Sequence, residues 1–202
     1  MPDFPEIHYQ IDARDSLVSI NDAWVQEAER VPEPGLASRT ILGRGLWQLI
    51  KDWPLQSLFD GIFRRLRAGE IPRAAYLFRC DTPTSRRLHR LLITAGSNHS
   101  LHFKSTIVAI HERPKVPLLD TTIPRSTEVL RICSWCKRIP LPGEGWVEVE
   151  DALGRLDALD AGPMPALSHG MCPACSQTML FFLDRPSAVG PDIATFGEWR
   201  PT

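Results

Sequence analysis

Apolar residues recur along this chain with two different periods, and the alternation between them predicts its elements. The runs from Glu6 to Asp12 and from Ser16 to Ile20 read as short strands, parted by the turn-prone Asp12–Ala13–Arg14–Asp15. Asn21 and Asp22 then offer a cap for a helix holding Ala23, Trp24 and Val25. Gly43 and Gly45 bracket a loop before the apolar Leu46–Trp47–Gln48–Leu49–Ile50. The strongest helical pattern follows Asp52–Trp53. Leu55, Leu58, Phe59, Ile62, Phe63 and Leu66 fall at i, i+3, i+4, i+7, i+8 and i+11, one continuous stripe. Pro54 suits its first turn and Gly69 its end. Three strand-like runs come next, Ile71–Cys80, Arg87–Ala95 and Leu101–His111. In the last, Leu101, Phe103, Ile107 and Ala109 are expected on one face of a half-buried strand.

Periodicity then lapses. Pro114, Pro117 and Pro124 punctuate Arg113 to Ser126, which reads as a connection. Further on, Glu148, Glu150 and Asp151 lead into Ala152, Leu153, Leu156 and Leu159, a short amphipathic helix with its acids in the first turn. From Arg185 onward, prolines at 186, 191 and 201 and few apolar residues predict a disordered tail. The expected organisation is a folded unit over 4–112, a linker over 113–128, a small module over 129–183 and a tail over 184–202.

The chain has 202 residues, 43% of them hydrophobic and 23% charged, an ordinary composition for one or two globular domains. A net charge of −1 argues against a protein that coats nucleic acid non-specifically. No apolar run approaches the ~20 residues that span a bilayer, and no secretory signal pattern opens the chain. The cytoplasm is the expected location, without membrane contact.

Candidate chemistry lies in the cysteines. Four of the five form two pairs, Cys133–Ser134–Trp135–Cys136 and Cys172–Pro173–Ala174–Cys175. A C-x-x-C turn presents two thiolates from one tight loop, and two such loops complete a tetrahedral S4 shell. Cys133, Cys136, Cys172 and Cys175 are therefore predicted to hold a structural zinc ion, with paired disulfides or a redox dithiol as the alternative. Four thiolates close the shell and leave no open position for catalysis. The 35 residues between the pairs exceed a simple ribbon spacing, so a folded segment is expected there. Trp135 and Trp146 are expected to pack over the zinc loops, and His169 to cap them or support a ligand. Cys80 reads as an unreactive thiol at a strand end. Arg64, Arg65 and Arg67, with Arg86, Arg87 and Arg90, read as solvated faces with ion pairs. Motifs of metalloproteases, serine hydrolases and nucleotide-binding enzymes are absent, so no catalytic residues are nominated.

Two strands, helices and three strands in sequence resemble the order of a PAS domain. The resemblance extends to Tyr9–Gln10–Ile11–Asp12, Leu17–Val18–Ser19–Ile20–Asn21–Asp22–Ala23–Trp24 and Leu42–Gly43–Arg44–Gly45–Leu46–Trp47, and covers residues 4–112. The later CSWCKR, GWVEVE and SHGMCPAC segments resemble the cysteine-rich, zinc-binding extension of certain bacterial PAS signalling proteins. The fold class this implies is α+β: a PAS-like five-stranded antiparallel sheet with helices on one side, then a small zinc-stabilised module. The implied function is a cytoplasmic, non-enzymatic sensor with an unidentified PAS ligand, a signalling protein as partner and a homodimer through the PAS unit. The alternatives are a transcriptional regulator whose zinc module binds DNA and a haem-binding PAS sensor. Acidic Glu144, Glu148, Glu150 and Asp151 weigh against DNA. His8, His89, His99, His102 and His111 lie on or beside predicted strands, where a haem-bearing helix would not place them.

Overall fold

A computed structural model of the protein describes residues 5–30, 39–50, 52–155 and 163–183. The first two strands form where the alternation places them, β1 (Ile7–Ile11) and β2 (Leu17–Ile20). Asn21 caps α1 (Asp22–Arg30), its Oδ1 accepting the Trp24 amide at 3.1 Å. A short α2 (Leu46–Leu49) precedes α3 (Trp53–Arg67), whose predicted stripe buries Leu58, Phe59, Ile62, Phe63 and Leu66. Strands β3 (Arg73–Arg79), β4 (Ser85–Ala95) and β5 (Leu101–Glu112) complete a five-stranded antiparallel sheet in the order β2-β1-β5-β4-β3.

Register shows why one face is covered. Tyr9 lies opposite Phe103, Phe103 opposite Ile93, and Ile93 opposite Ala74, so one row of the inner face crosses four strands. Tyr9 stacks on Phe103 at 4.4 Å and meets Trp24 of α1 edge-on at 5.0 Å. Phe63 of α3 meets the same Phe103 at 5.6 Å, so α1 and α3 share that face. The expected single face of β5 breaks at a bulge. Ile107 pairs with His89 but Ala109 pairs with Leu88, and neighbours on a strand point oppositely. Ala109 therefore leaves the face that Leu101, Phe103 and Ile107 keep.

Arg67 also departs from expectation. Helical spacing puts it on the exposed side, yet its guanidinium turns back to the Asp15 carboxylate at 2.6 Å and to the Asp12 and His99 carbonyls at 2.9 Å each. The long arginine stem lets the charge reach three loop acceptors at the helix end. Arg64 and Arg65 stay with the predicted ion pairs, to Asp60 and Glu70.

Beyond the sheet, the stretch that lacks periodicity holds a 3-10 turn over Pro117–Leu119 that buries Leu118. Strand β6 (Arg125–Cys133) runs parallel to β9 (Met164–Gly170), and β7 (Ile139–Leu141) pairs with β8 (Gly145–Val147). The helix predicted between the cysteine pairs is present as α4 (Val149–Leu153), while Leu156, Leu159 and the tail from 184 lie outside the described residues. Helix α5 (Pro173–Leu183) follows. Val116, Leu118, Ile132, Ile139, Leu141, Val149 and Ala152 form a small second core. The main core does not stop at residue 112: Cys133, Trp135, Cys136, Met171, Cys172 and Met179 belong to the same buried cluster as the sheet and α3.

Between the helices and the sheet lies a cavity of about 420 Å³, bordered by Phe59 but not by Phe63. Phe63 is 1% exposed and touches Trp47, Phe59 and Phe103. Phe63→Ala is therefore expected to cost about 3–5 kcal/mol in urea unfolding, and Phe59→Ala clearly less, because Phe59 already faces open space. Equal losses at the two positions would contradict that cavity.

Candidate metal centre

The parallel pairing of β6 with β9 sets Cys133 opposite Gly170, so both cysteine loops leave the same end of one two-stranded ribbon. In the first loop the Lys137 amide donates to the Cys133 carbonyl at 3.0 Å and the Cys133 amide to the Arg138 carbonyl at 2.8 Å. Closing that turn puts Lys137 at φ 63°, a left-handed conformation that costs a side-chain-bearing residue about 1–2 kcal/mol. In the second loop Pro173 opens α5, which carries Cys175 into its first turn. The Ser134 amide bonds the Gly170 carbonyl at 2.7 Å and ties the loops together.

This brings all four predicted ligands into one group. The sulfurs of Cys133, Cys136, Cys172 and Cys175 lie within 4.8 Å of one another. Cys136 Sγ and Cys172 Sγ are 3.8 Å apart. A tetrahedral shell with metal–sulfur bonds near 2.3 Å requires sulfur separations of about 3.8 Å. A disulfide requires about 2.05 Å, so the spacing fits a shared cation and not a pair of bridges. Cys133, Cys136 and Cys172 are buried and Cys175 half-buried. Backbone amides of Cys172 and Cys175 point at the sulfurs of Cys133 and Cys172, each at 3.4 Å, as donors that stabilise thiolate charge.

The four thiols share their protons unevenly. Hydrogen bonds from Cys136, Cys172 and Cys175 hold the Cys133 thiol far below its ordinary value. Cys175 is pushed up by its bonds with Cys133, Cys136 and Cys172. Cys133 is thus held as a thiolate by hydrogen bonds from the neighbouring sulfurs, and a divalent ion at their centre would offset the charge of all four once ionised. His169 is outside this group: it sits exposed on β9, opposite Ile132.

Trp135 lies beside Cys136, Cys172 and Cys175, as expected, but reaches beyond the cysteine loops. Its indole enters the sheet's inner side, 6.5 Å from Phe59, 6.1 Å from Tyr76 and 5.9 Å from Phe78. Its carbonyl accepts the outward amide of Arg79 at 2.8 Å, so the loop meets the last residue of edge strand β3. Trp146 stays in the module, under the Arg131 guanidinium at 5.7 Å. Gly170 permits that placement, since a Cβ there would stand 2.5 Å from Arg131 Nε.

A buried ion-pair network that local periodicity does not announce seals the same seam. Arg79, 4% exposed, reaches Asp81 and Glu148 at 2.5 Å each and the Cys136 carbonyl at 2.9 Å. Arg113 joins Asp81 at 3.1 Å and also pairs with Glu150, which Arg86 meets at 2.8 Å. Arg138 joins Glu148 at 3.0 Å. Burial works to raise both glutamates, but Arg79 and Arg138 hold Glu148 below its usual value, and Arg86 with Arg113 bring Glu150 to about 2. The one available signal was complementary composition: basic residues late in the sheet and acids at the start of α4.

The remaining candidates separate. Cys80 is half-buried, its Sγ 3.6 Å from Arg87 Nη2, and belongs to no metal group. Arg87 pairs with Glu27 of α1 at 2.6 Å. Arg90 is exposed. Of the five early histidines, His89 alone borders the cavity; His8, His102 and His111 are on strands and His99 is in a 3-10 turn. No helix among the described residues is long and apolar enough to cross a membrane. The chain matches no protein-family model and no curated protein.

Two outcomes are expected. Metal analysis of anaerobically purified protein returns one ion per chain, and Cys172→Ser lowers that to background. Arg79→Ala costs about 1–3 kcal/mol in denaturant unfolding, because the Cys136 carbonyl loses its donor and Asp81 and Glu148 keep one arginine each, with Arg79→Lys recovering only part of it.

Proposed function

We propose that the protein is a non-enzymatic sensory or regulatory protein, in which a PAS-like unit senses and a structural zinc module passes the result to a signalling protein. The five-stranded antiparallel sheet with α1 and α3 on one face supports the first half, because it fits the element order on which the PAS resemblance rests. Zinc is the metal because four soft thiolates in tetrahedral array suit it and it brings no redox demand. A reducing, cytoplasmic setting keeps those thiols available. Dimerisation through the PAS-like unit belongs to the same reading.

The observation that carries the proposal is Trp135. One residue of the metal loop forms part of the wall of the sheet's cavity. A change of packing in the cavity biases the position of a loop whose ends are fixed by sulfur ligands. The partner then reads the module. DNA as the target is disfavoured because Arg138 is committed to Glu148, and exposed Glu144 and Asp151 would face phosphate.

Phe78→Ala removes a ring beside Trp135 without touching a cysteine. It is expected to speed zinc loss to a competing chelator several-fold, and an unchanged rate would contradict the coupling. Gel shifts over a salt series are expected to give no sequence-specific complex; a specific complex with a steep salt slope would favour the DNA-binding regulator instead.

A further inference from the structure

The cavity beneath α1 and α3 is walled mainly by apolar groups, with the rings of Tyr9, Trp24, Phe59, Phe78 and Trp135 among them. Its volume of about 420 Å³ falls within the range of small-molecule sites. Its polar side chains are nearly all engaged within the protein. Glu27 pairs with Arg87 at 2.6 Å, Ser134 bonds Asp52 at 3.4 Å, and the Cys80 sulfur faces Arg87.

His89 is different. It is 2% exposed, and its Nδ1 is 3.2 Å from Ser105 Oγ, but its Nε2 has no partner. A buried polar atom without a partner is costly and calls for an explanation. A lone nitrogen among apolar groups is a poor water site, because an ordered water needs two to four polar partners. Burial, with Arg87 and Lys137 adding positive charge nearby, lowers the His89 pKa to about 4, so the ring is neutral at pH 7.

We propose that this cavity binds a neutral, largely aromatic small molecule bearing one hydroxyl group, which lies among the rings and bonds to His89 Nε2. A hydroxyl both donates and accepts, so it satisfies Nε2 in either tautomer that the Ser105 bond selects. The apolar walls disfavour a charged group, and Glu27 and Arg87 already neutralise one another at the rim. This deepens the sensory reading by naming the ligand class, and Trp135 makes the bound molecule a direct neighbour of the metal loop.

The probe is 1-naphthol, with naphthalene as the control lacking the hydroxyl, titrated calorimetrically into zinc-replete full-length protein. One saturable site per chain is expected, with naphthalene weaker by about five- to tenfold, the worth of one neutral hydrogen bond. His89→Leu should bring the two probes to equal affinity. Ala28→Leu, which narrows the cavity from α1, should weaken binding of both probes while keeping zinc content and the thermal transition. No saturable heat, equal affinity of the two probes for the native protein, or undiminished binding by Ala28→Leu would overturn the proposal. If His89→Leu loses its cooperative transition, the native-protein comparison and Ala28→Leu decide. Failure of binding in protein that retains one zinc removes this ligand class and leaves the zinc-module reading to its own chelation test.

Discussion

The indole of Trp135 sits where two kinds of constraint meet. Behind it, Cys133 and Cys136 fix the ends of its loop to a common sulfur cluster. In front of it, Phe59, Tyr76 and Phe78 supply a helix and an edge strand to pack against. A four-residue turn held at both ends has little freedom to redirect its middle, so the ring has one apolar destination. Burying a side chain of that size is worth several kcal/mol, enough to dock a small module that has few core residues of its own. The module thus gives the end of edge strand β3 an acceptor for its outward amide, and the sheet supplies core that the module lacks.

Charge sharpens this apolar contact. Four arginines and three carboxylates meet along the seam: Arg79, Arg86, Arg113 and Arg138 with Asp81, Glu148 and Glu150. Buried pairs of this kind add little net stability over apolar packing, but removing one partner leaves a charge stranded. Their use here is in register. Asp81 joins β3 to the end of β5 through Arg79 and Arg113, and the two glutamates of α4 take the remaining guanidinium groups. The seam accepts the module in one orientation.

Sequence pattern goes far where contacts are local. The stripe from Leu55 to Leu66, the Asn21 cap and the strand runs need only neighbours on one element, and all appear with small shifts at their ends. The cysteine pairs are legible for another reason: four thiols at that spacing have few other uses. What periodicity could not reach depends on distant residues. The bulge at Leu88–His89 turns Ala109 over because β4 and β5 differ in length by one residue between fixed pairs. Arg67 looks solvent-facing on a helical wheel, yet Asp15, 52 residues away, draws it inward. Trp135 reads as part of the cysteine loops, which it does border, but its ring contacts come from α3 and β3. In the seam, Arg86 and Glu150 are 64 positions apart and Arg79 and Glu148 are 69, and no local pattern encodes such pairings.

The Arg79 amide reports most directly on whether metal, loop and sheet form one unit. It points outward from edge strand β3 and has the Trp135 carbonyl as its acceptor. Hydrogen exchange at this amide, followed by NMR in zinc-loaded and chelated protein, isolates the docked loop from the rest of the sheet. The account predicts strong protection with zinc and its loss on chelation, while the Ile93 and Phe103 amides in the central strands stay protected. An Arg79 amide that exchanges at the same rate in both states would contradict it.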